Sequence, residues 1–191
     1  VMMMARRVFY EKLFDADPGW LGPKYLKEFH RSTCWQSRWE TVITARNGGS
    51  LTPAIMTQLR RLKAEGKIQF IENCQVQQAQ WQGQHWDLQC ADGTLLTCDR
   101  LWLATGTTLN VHQQPLLAEI AKAHPIPIIN GFPVLSTHLR WGNRELYLMG
   151  GLAALQVGPT ARNLSGARMA SERIVEALVK PRHYHRAIAP A

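Results

Sequence analysis

The stretch Leu101-Trp-Leu-Ala-Thr-Gly106 decides the fold, because it joins an apolar run to a tight glycine turn. Its apolar residues predict a buried strand over Leu101–Ala104. About forty residues further on, Leu146-Tyr-Leu-Met-Gly-Gly151 repeats the arrangement and predicts a second strand over Glu145–Met149. A strand that ends in glycine lets the backbone approach a large flat ligand or a phosphate. Glycine turns also serve packing alone in α/β proteins, so the pattern indicates a fold class before it indicates a ligand.

Helices and further strands surround these two turns. Thr52 is a good N-cap, Pro53 suits the first helical position, and Asp92-Gly93 is a strong hairpin signal. The second predicted helix carries its apolar residues on one face, namely Trp35, Trp39, Val42 and Ile43, and Asn47-Gly48-Gly49 ends it. The other predicted elements are a strand over Val1–Ala5, helices over Pro23–Arg31, Trp35–Arg46, Thr52–Glu65 and from about Thr160 or Arg162 to Val179, and strands within Ile68–Gln80, His85–Ala91 and Thr94–Thr97.

Composition limits the classes of function. The chain has 191 residues, 46% of them hydrophobic, which excludes wholesale disorder. Its formal net charge of +8 suits anionic partners such as nucleic acid, a phosphorylated cofactor or an acidic membrane surface. No apolar run is long enough for a transmembrane helix.

Cysteine and histidine spacing does not indicate a metal site. The four cysteines, Cys34, Cys74, Cys90 and Cys98, form no CxxC pair, so we expect free thiols in a reducing cytoplasm. Among the histidines only His183 and His185 are closely spaced, and they lack further ligands. We therefore predict no metal.

One alternative interpretation is a nucleic-acid-binding module. The helix predicted over Thr52–Glu65 contains Arg60, Arg61 and Lys63, and a hairpin with Trp81 and Trp86 follows it. A helix with a basic end followed by a β-wing is the outline of a winged helix. This interpretation leaves Leu101–Gly106 and Glu145–Val179 without a role.

Several stretches resemble one protein family. Leu101–Gly106 resembles the "ATG" motif of flavoproteins with two dinucleotide-binding domains. Residues 145–178, with GGLAALQVGPTARNLSGARMASERI, resemble their second flavin-binding motif and C-terminal helix. The front, VMMMARR followed by FDADPGWLGPKYL, resembles the pyridine-nucleotide domain of flavin-containing and lysine/ornithine N-hydroxylating monooxygenases. The resemblance covers residues 1–180.

The resemblance implies a fold and a domain order. The fold would be α/β, a partial Rossmann-like two-domain flavoprotein fold. Residues 1–100 would be the remainder of an NAD(P)-binding domain with a helical insert and a β-meander. Residues 101–180 would be the C-terminal half of an FAD-binding domain, and residues 181–191 a tail.

The resemblance also implies cofactor contacts. Arg6 and Arg7 would grip the 2′-phosphate of NADPH, for which a guanidinium fork is well suited. Ala104, Thr105 and Gly106 would form the crossover into the FAD domain. The remaining predicted contacts are with FAD: Gly150 and Gly151 at the ribityl chain or pyrophosphate, and Gly158, Pro159, Arg162 and Asn163 at the pyrimidine edge of the flavin.

The implied activity is that of an FAD-dependent oxidoreductase of the monooxygenase type. Hydride would pass from NADPH to flavin N5 and then to dioxygen and a small-molecule substrate, with no catalytic side chain expected. Two features depart from the family: Gly151 stands where many relatives have Asp, and no GxGxxG turn occurs. We therefore expect the chain to be the C-terminal part of a longer flavoprotein, with the upstream part as its partner and with neither nucleic acid nor membrane.

Overall fold

The computed structural model describes residues 1–14, 16–46 and 50–179. Within these ranges the helices are α1 (Pro23–Arg31), α2 (Trp35–Arg46), α3 (Pro53–Ala64), α4 (Pro115–Ala123), α5 (Ala154–Val157) and α6 (Leu164–Val179). The strands are β1 (Met2–Met4), β2 (Gln69–Ile71), β3 (Val76–Trp81), β4 (Trp86–Cys90), β5 (Leu95–Cys98), β6 (Ile128–Ile129) and β7 (Phe132–Pro133). Short 3₁₀ helices cover Pro18–Leu21, Val111–Gln113 and Gly150–Ala153.

The chain divides into two compact units. The first contains Val1–Asp15 and Gly48–Thr107, and the second contains Ala16–Asn47 and Thr108–Ala191. The helical residues of α1 and α2 thus belong to the same unit as the C-terminal half. The assignment of residues 1–100 to the NAD(P) domain and of 101–180 to the FAD domain stays a prediction, and the tail 181–191 lies outside the described residues.

The first unit contains a two-stranded parallel sheet and a three-stranded meander. β1 pairs with β2, and Met3 lies opposite Phe70. Val1 O accepts from Gln69 N at 2.8 Å and Ala5 N donates to Ile71 O at 3.0 Å, so the backbone groups of Met2 and Met4 point to the opposite edge. Within the described ranges no strand pairs with that edge. β3, β4 and β5 form the antiparallel meander, as the alternating pattern and Asp92-Gly93 predict.

Local signals set helix α3. Thr52 Oγ1 accepts from Ile55 N at 3.5 Å, and Pro53 occupies the first turn. Gly66 follows the helix at φ +70°, a conformation that suits glycine. The predicted helix bounds are therefore confirmed to within a residue.

The expectation of four free thiols is wrong for two of them. Cys74 and Cys90 form a disulfide and are both buried, whereas Cys34 and Cys98 are free. The meander causes this pairing, because β3 and β4 place Val76 opposite Cys90 and thereby bring Cys74 close to the end of β4. The argument from free thiols to a reducing compartment is correspondingly weakened.

The second unit packs its helices around one apolar core. Its fully buried members include Val111, Leu139, Trp141, Leu155 and Val157. The indole Nε1 of Trp141 donates to His124 O at 2.7 Å, so its polar atom is satisfied. Helix α6 comes close to the backbone at Thr160 and Ala161 through Gly166, where a Cβ would overlap Thr160 O. Helix α4, which the sequence analysis did not predict, also contributes to this core.

Two predicted strands are absent. Leu101–Ala104 forms no ladder, and Trp102 and Leu103 are 89% and 75% exposed. Glu145–Met149 contributes a single bridge, Tyr147 to Arg140, flanked by hydrogen bonds from Trp141 N to Leu146 O and from Leu148 N to Leu139 O. A strand is completed only by its hydrogen-bonding neighbour, and the described residues supply none for Leu101–Ala104 and only a short one for Glu145–Met149.

Among the described residues, no helix combines the length and the apolar character needed to cross a membrane.

Candidate cofactor site

The predicted site residues fall into two groups, one in each unit. Arg6, Arg7, Ala104, Thr105 and Gly106 belong to the first unit. The second unit contains the others, namely Gly150, Gly151, Gly158, Pro159, Arg162 and Asn163.

The second group lies on a buried turn and at its two ends, of which Gly150 and Gly151 are half-buried and Arg162 and Asn163 are exposed. We define the buried turn as residues 153–161, all of which are buried and which join the 3₁₀ helix Gly150–Ala153 to the approach of α6. Gly158 has φ +100°, and a Cβ there would lie 2.8 Å from Leu26 Cδ2. Backbone conformation and close packing therefore both require glycine at this position.

The two ends of the buried turn lie side by side. A Cβ on Gly151 would overlap Leu109 Cδ1 and would lie 3.1 Å from Arg162 Cγ, so Gly151 and Arg162 are neighbours. Gly150 has φ +74° with open space around it. Arg162 and Asn163 are exposed directly before α6. The structure thus brings Gly150, Gly151, Arg162 and Asn163 together.

The start of α6 completes this surface. Asn163 N donates to Thr160 O at 2.9 Å, and Asn163 O accepts from Ala167 N at 2.9 Å. The first turn of the sixteen-residue helix carries no acidic residue. The first N–H groups of a helix have no partner within the helix and form the positive end of its dipole. This surface can therefore accept an electron-rich group.

Basic side chains contact the backbone carbonyl groups of the buried turn. Arg38, on α2, donates from Nη1 to Leu155 O at 3.0 Å. Arg173, on α6, donates from Nη1 to Gln156 O at 3.0 Å, and His30 Nε2 lies 2.9 Å from the same oxygen. Gln156 Nε2 in turn donates to Leu135 O at 2.6 Å. The turn is therefore fixed through its carbonyl groups as well as by packing.

Burial and mutual repulsion act on these basic side chains. Burial, and then the nearby Arg173, lower the pKa of Arg38. Burial also lowers the pKa of His30; the hydrogen bond to Gln156 opposes this shift, and Arg173 and Arg38 add to it. His30 is therefore held mainly in its neutral form near neutral pH.

The sequence patterns did not predict roles for four residues of this site, His30, Arg38, Gln156 and Arg173. One signal was available for Arg38, because it lies within the predicted apolar face between Trp35 and Val42. In the structure Arg38 and Val42 are the buried residues of α2, whereas Ile43 is exposed. A cation on an apolar helix face indicates that buried acceptors lie opposite it.

The first group of predicted residues is largely exposed. Arg6 is exposed after β1, and the Arg7 guanidinium lies 5.0 Å from the centre of the Tyr10 ring. Gly106 has φ +73° with open space around it, and Ala104 and Thr105 are exposed. This unit also has an open cavity of about 530 Å³, which none of the predicted residues lines; its walls are Trp81, Trp86, Asp99, Arg100, Leu101 and Trp102.

The basic residues of α3 are engaged within their own unit. Arg60 pairs with Glu11 at 2.9 Å, Arg61 pairs with Glu65 at 3.5 Å, and Lys63 lies over the Phe70 ring at 5.1 Å. These contacts reduce the positive charge that the helix would offer to a phosphate backbone. No observation in the structure favours the winged-helix alternative.

No protein-family model matches the chain, and no curated protein matches it. Solved structures match nearly all of it. The ornithine hydroxylase PvdA from Pseudomonas aeruginosa aligns over 93% of this chain and 45% of its own, with 18% identity and a TM-score of 0.68. The cadaverine monooxygenase DfoA from Erwinia amylovora, solved with FAD, aligns over 100% and 48%, with 13% identity and a TM-score of 0.68.

A third solved structure is the ornithine N-hydroxylase KtzI from Kutzneria sp. 744, with reduced FAD, NADP+ and L-ornithine. It aligns over 90% of this chain and 44% of its own, with 18% identity and a TM-score of 0.65. The chain thus spans a little under half the length of these neighbours. Their likeness confirms the predicted fold class, a mixed α/β chain with part of the flavoprotein monooxygenase fold.

Proposed function

We propose that this chain is the C-terminal part of an FAD-dependent, NADPH-using oxidoreductase of the N-monooxygenase type. The observation that carries the proposal is the shared fold, which extends over 90–100% of the chain in three hydroxylase or monooxygenase neighbours. The proposed substrate is a small molecule, and the cytoplasm stays the predicted location.

The residues of the second unit fit FAD. Gly150 has open space around it, and Gly151 packs closely against Leu109 and Arg162. Arg162 supplies positive charge, and the first N–H groups of α6 form the positive end of its helix dipole. We assign Gly150, Gly151, Arg162 and Asn163 to direct contact with the cofactor. Gly158 and Pro159 are buried, so we assign them to holding the course of the turn.

The bound flavin would supply the redox chemistry, accepting hydride from NADPH and reacting with dioxygen. This chain would bind and orient the cofactor and would place positive charge near its electron-rich edge. Arg6 and Arg7, after the end of β1, are the proposed ligands of the NADPH 2′-phosphate, because Arg6 is exposed and both follow a parallel strand.

The proposed partner is an upstream part of the same flavoprotein. The chain covers 44–48% of its neighbours' lengths. The outer edge of β1 has no strand partner among the described residues, and the apolar Trp102 and Leu103 are exposed. Exposed strand edges and apolar patches are typical of surfaces that another polypeptide covers.

The test compares two proteins, the 191-residue chain and the chain extended by the coding segment that precedes Val1. We expect the extended protein to carry stoichiometric FAD, measured by visible flavin absorbance, and to consume NADPH. An extended protein that binds no FAD would overturn the proposed function.

A further inference from the structure

Three basic side chains from three helices meet at the buried turn. We call His30 of α1, Arg38 of α2 and Arg173 of α6 the basic cluster, in which the two arginines carry charge and His30 is mainly neutral near neutral pH. Arg38 is 7% exposed, and its Nε, Nη1 and Nη2 donate to Ser32 O, Leu155 O and His30 O at 2.9, 3.0 and 2.9 Å. The guanidinium is therefore satisfied by carbonyl oxygens alone.

Aromatic rings enclose the same guanidinium. Its central carbon lies 4.6 Å from the centre of the Trp35 ring and 5.3 Å from that of Phe29. Ring faces attract cations, and this attraction strengthens where water is excluded. The environment thus fixes both the position and the charge of Arg38.

The cluster has no acidic counterpart. Within residues 1–14, 16–46 and 50–179, no Asp or Glu forms an ion pair with His30, Arg38 or Arg173. Arg173 Nη2 instead lies 3.4 Å from His30 Nε2. A buried charge is ordinarily paired with an opposite charge, because burying it unpaired costs free energy. The Arg38 guanidinium lies against the buried turn without such a pair among the described residues, and this arrangement requires an explanation.

We propose that Arg38 is a positioning residue that fixes the buried turn and, with Arg173, provides a positive potential that favours the reduced, negatively charged form of the bound flavin. This inference rests on the proposed function. Carbonyl dipoles hold the guanidinium without cancelling its charge, and low solvent access keeps that charge poorly screened. A fixed positive charge near a group stabilises its anionic form.

Two substitutions separate position from charge. Arg38→Lys keeps the charge but loses the planar fork that reaches three carbonyls, and Arg38→Met loses both. Arg168→Met is the matched control, since it removes a cation of α6 whose side chain is 82% exposed. Each variant is made in the extended protein, and three quantities are measured: the FAD dissociation constant, the flavin reduction potential and the thermal midpoint without FAD.

We expect Arg38→Met to lower the flavin reduction potential and to weaken FAD binding by at least about tenfold, the scale of one lost charged hydrogen bond. Arg38→Lys should retain most of the potential while still binding FAD more weakly, and Arg168→Met should match the wild type in both. If Arg38→Met does not fold, Arg173→Met replaces it, with the same expected fall in potential.

An unchanged potential in the variant that lacks the charge, together with normal FAD loading of the wild type, would overturn this inference and leave the proposed function intact. A wild-type protein without FAD would instead remove the proposed function. A purely structural role of Arg38 predicts a lower thermal midpoint with no change of potential, and that result also contradicts the proposal.

Discussion

Leu26 occupies the space beside Gly158 that any side chain at position 158 would need. A Cβ built there lies 2.8 Å from Leu26 Cδ2, and the backbone has φ +100°. Helix α1 therefore packs so closely against the buried turn that position 158 has no room for a side chain.

Gly158→Ala should lower the free energy of unfolding by about 1–3 kcal/mol, from backbone strain and overpacking together. Gly150→Ala is the control, because Gly150 also has a positive φ, +74°, but open space around it. It should cost about 1 kcal/mol, the scale of strain alone. Chemical denaturation measures both. Equal losses would show that Leu26 adjusts without cost.

The double change Arg6→Ala with Arg7→Ala, in the extended protein, should weaken NADPH binding much more than NADH binding. One charged hydrogen bond to the 2′-phosphate is worth about 1.5–3 kcal/mol, roughly 10–150-fold in affinity. The measurement is KM or Kd for both nucleotides, with Arg61→Ala as a control in the same unit. An equal loss for both nucleotides would remove the assignment of these arginines.

The stability of the second unit should depend on pH through His30. Burial lowers its folded-state pKa below the ordinary 6.5. Between the lowered pKa and 6.5 the unfolded chain binds more protons, so the free energy of unfolding falls as the pH decreases from 6.5 toward the folded-state pKa. His30→Gln should flatten this slope in denaturation curves taken from pH 7 to pH 5, a window set by the ordinary His pKa of about 6.5. An unaltered slope would show that His30 is not the responsible group.

Thiol titration in denaturant should count two reactive cysteines, Cys34 and Cys98, before reduction and four after it. Because the disulfide closes a loop across sixteen positions, reduction should lower the free energy of unfolding by about 2–4 kcal/mol. Cys74→Ala should abolish the effect of reductant, whereas Cys34→Ala should leave it. Four thiols before reduction would contradict the pairing.

Met4→Pro tests the outer edge of β1. Met4 directs its N–H away from β2, so its loss should leave the isolated chain's stability nearly unchanged and should reduce FAD loading of the extended protein. Met3→Pro, which removes a bond to β2, should destabilise both. The isolated chain should also self-associate in sedimentation experiments, because an open edge pairs with other chains. Normal FAD loading with Met4→Pro would show that no strand uses this edge.

The helices α1, α2 and α3 could be predicted because their signals are local. Pro23, Pro53 and the Thr52 cap set the starts of α1 and α3 from residues next to them in the chain. The strands predicted at Leu101–Ala104 and Glu145–Met149 are absent, and this outcome could not be predicted from local signals. An apolar run shows that a segment tends to be buried, but its hydrogen-bonding partner comes from elsewhere in the chain.

The same distinction between local signals and distant partners applies to the candidate site. The loop before the last helix could be predicted, because residue type and order indicate a turn there, whereas the assignment of its glycines and Arg162 to FAD follows from the resemblance and stays a prediction. Arg38 could not be assigned a role, since its acceptor Leu155 O lies 117 positions away in the sequence. Which carbonyl group a cation on an apolar helix face contacts depends on packing between segments that are distant in the sequence. The residues next to Arg38 in the sequence therefore do not reveal its hydrogen-bond acceptor.

The long separations around the buried turn also have a kinetic consequence. His30 and Gln156 are 126 positions apart, so their contact closes a very long loop. Closing such a loop costs conformational entropy before the contact adds any stability. Contacts between residues that are distant in the sequence therefore slow folding. The helices α1 and α2 can form early from local signals, but the turn between α5 and α6 takes its final course only once both ends of the unit are present. We therefore expect the contact between His30 and Gln156 to form late in folding, after the helices α1 and α2.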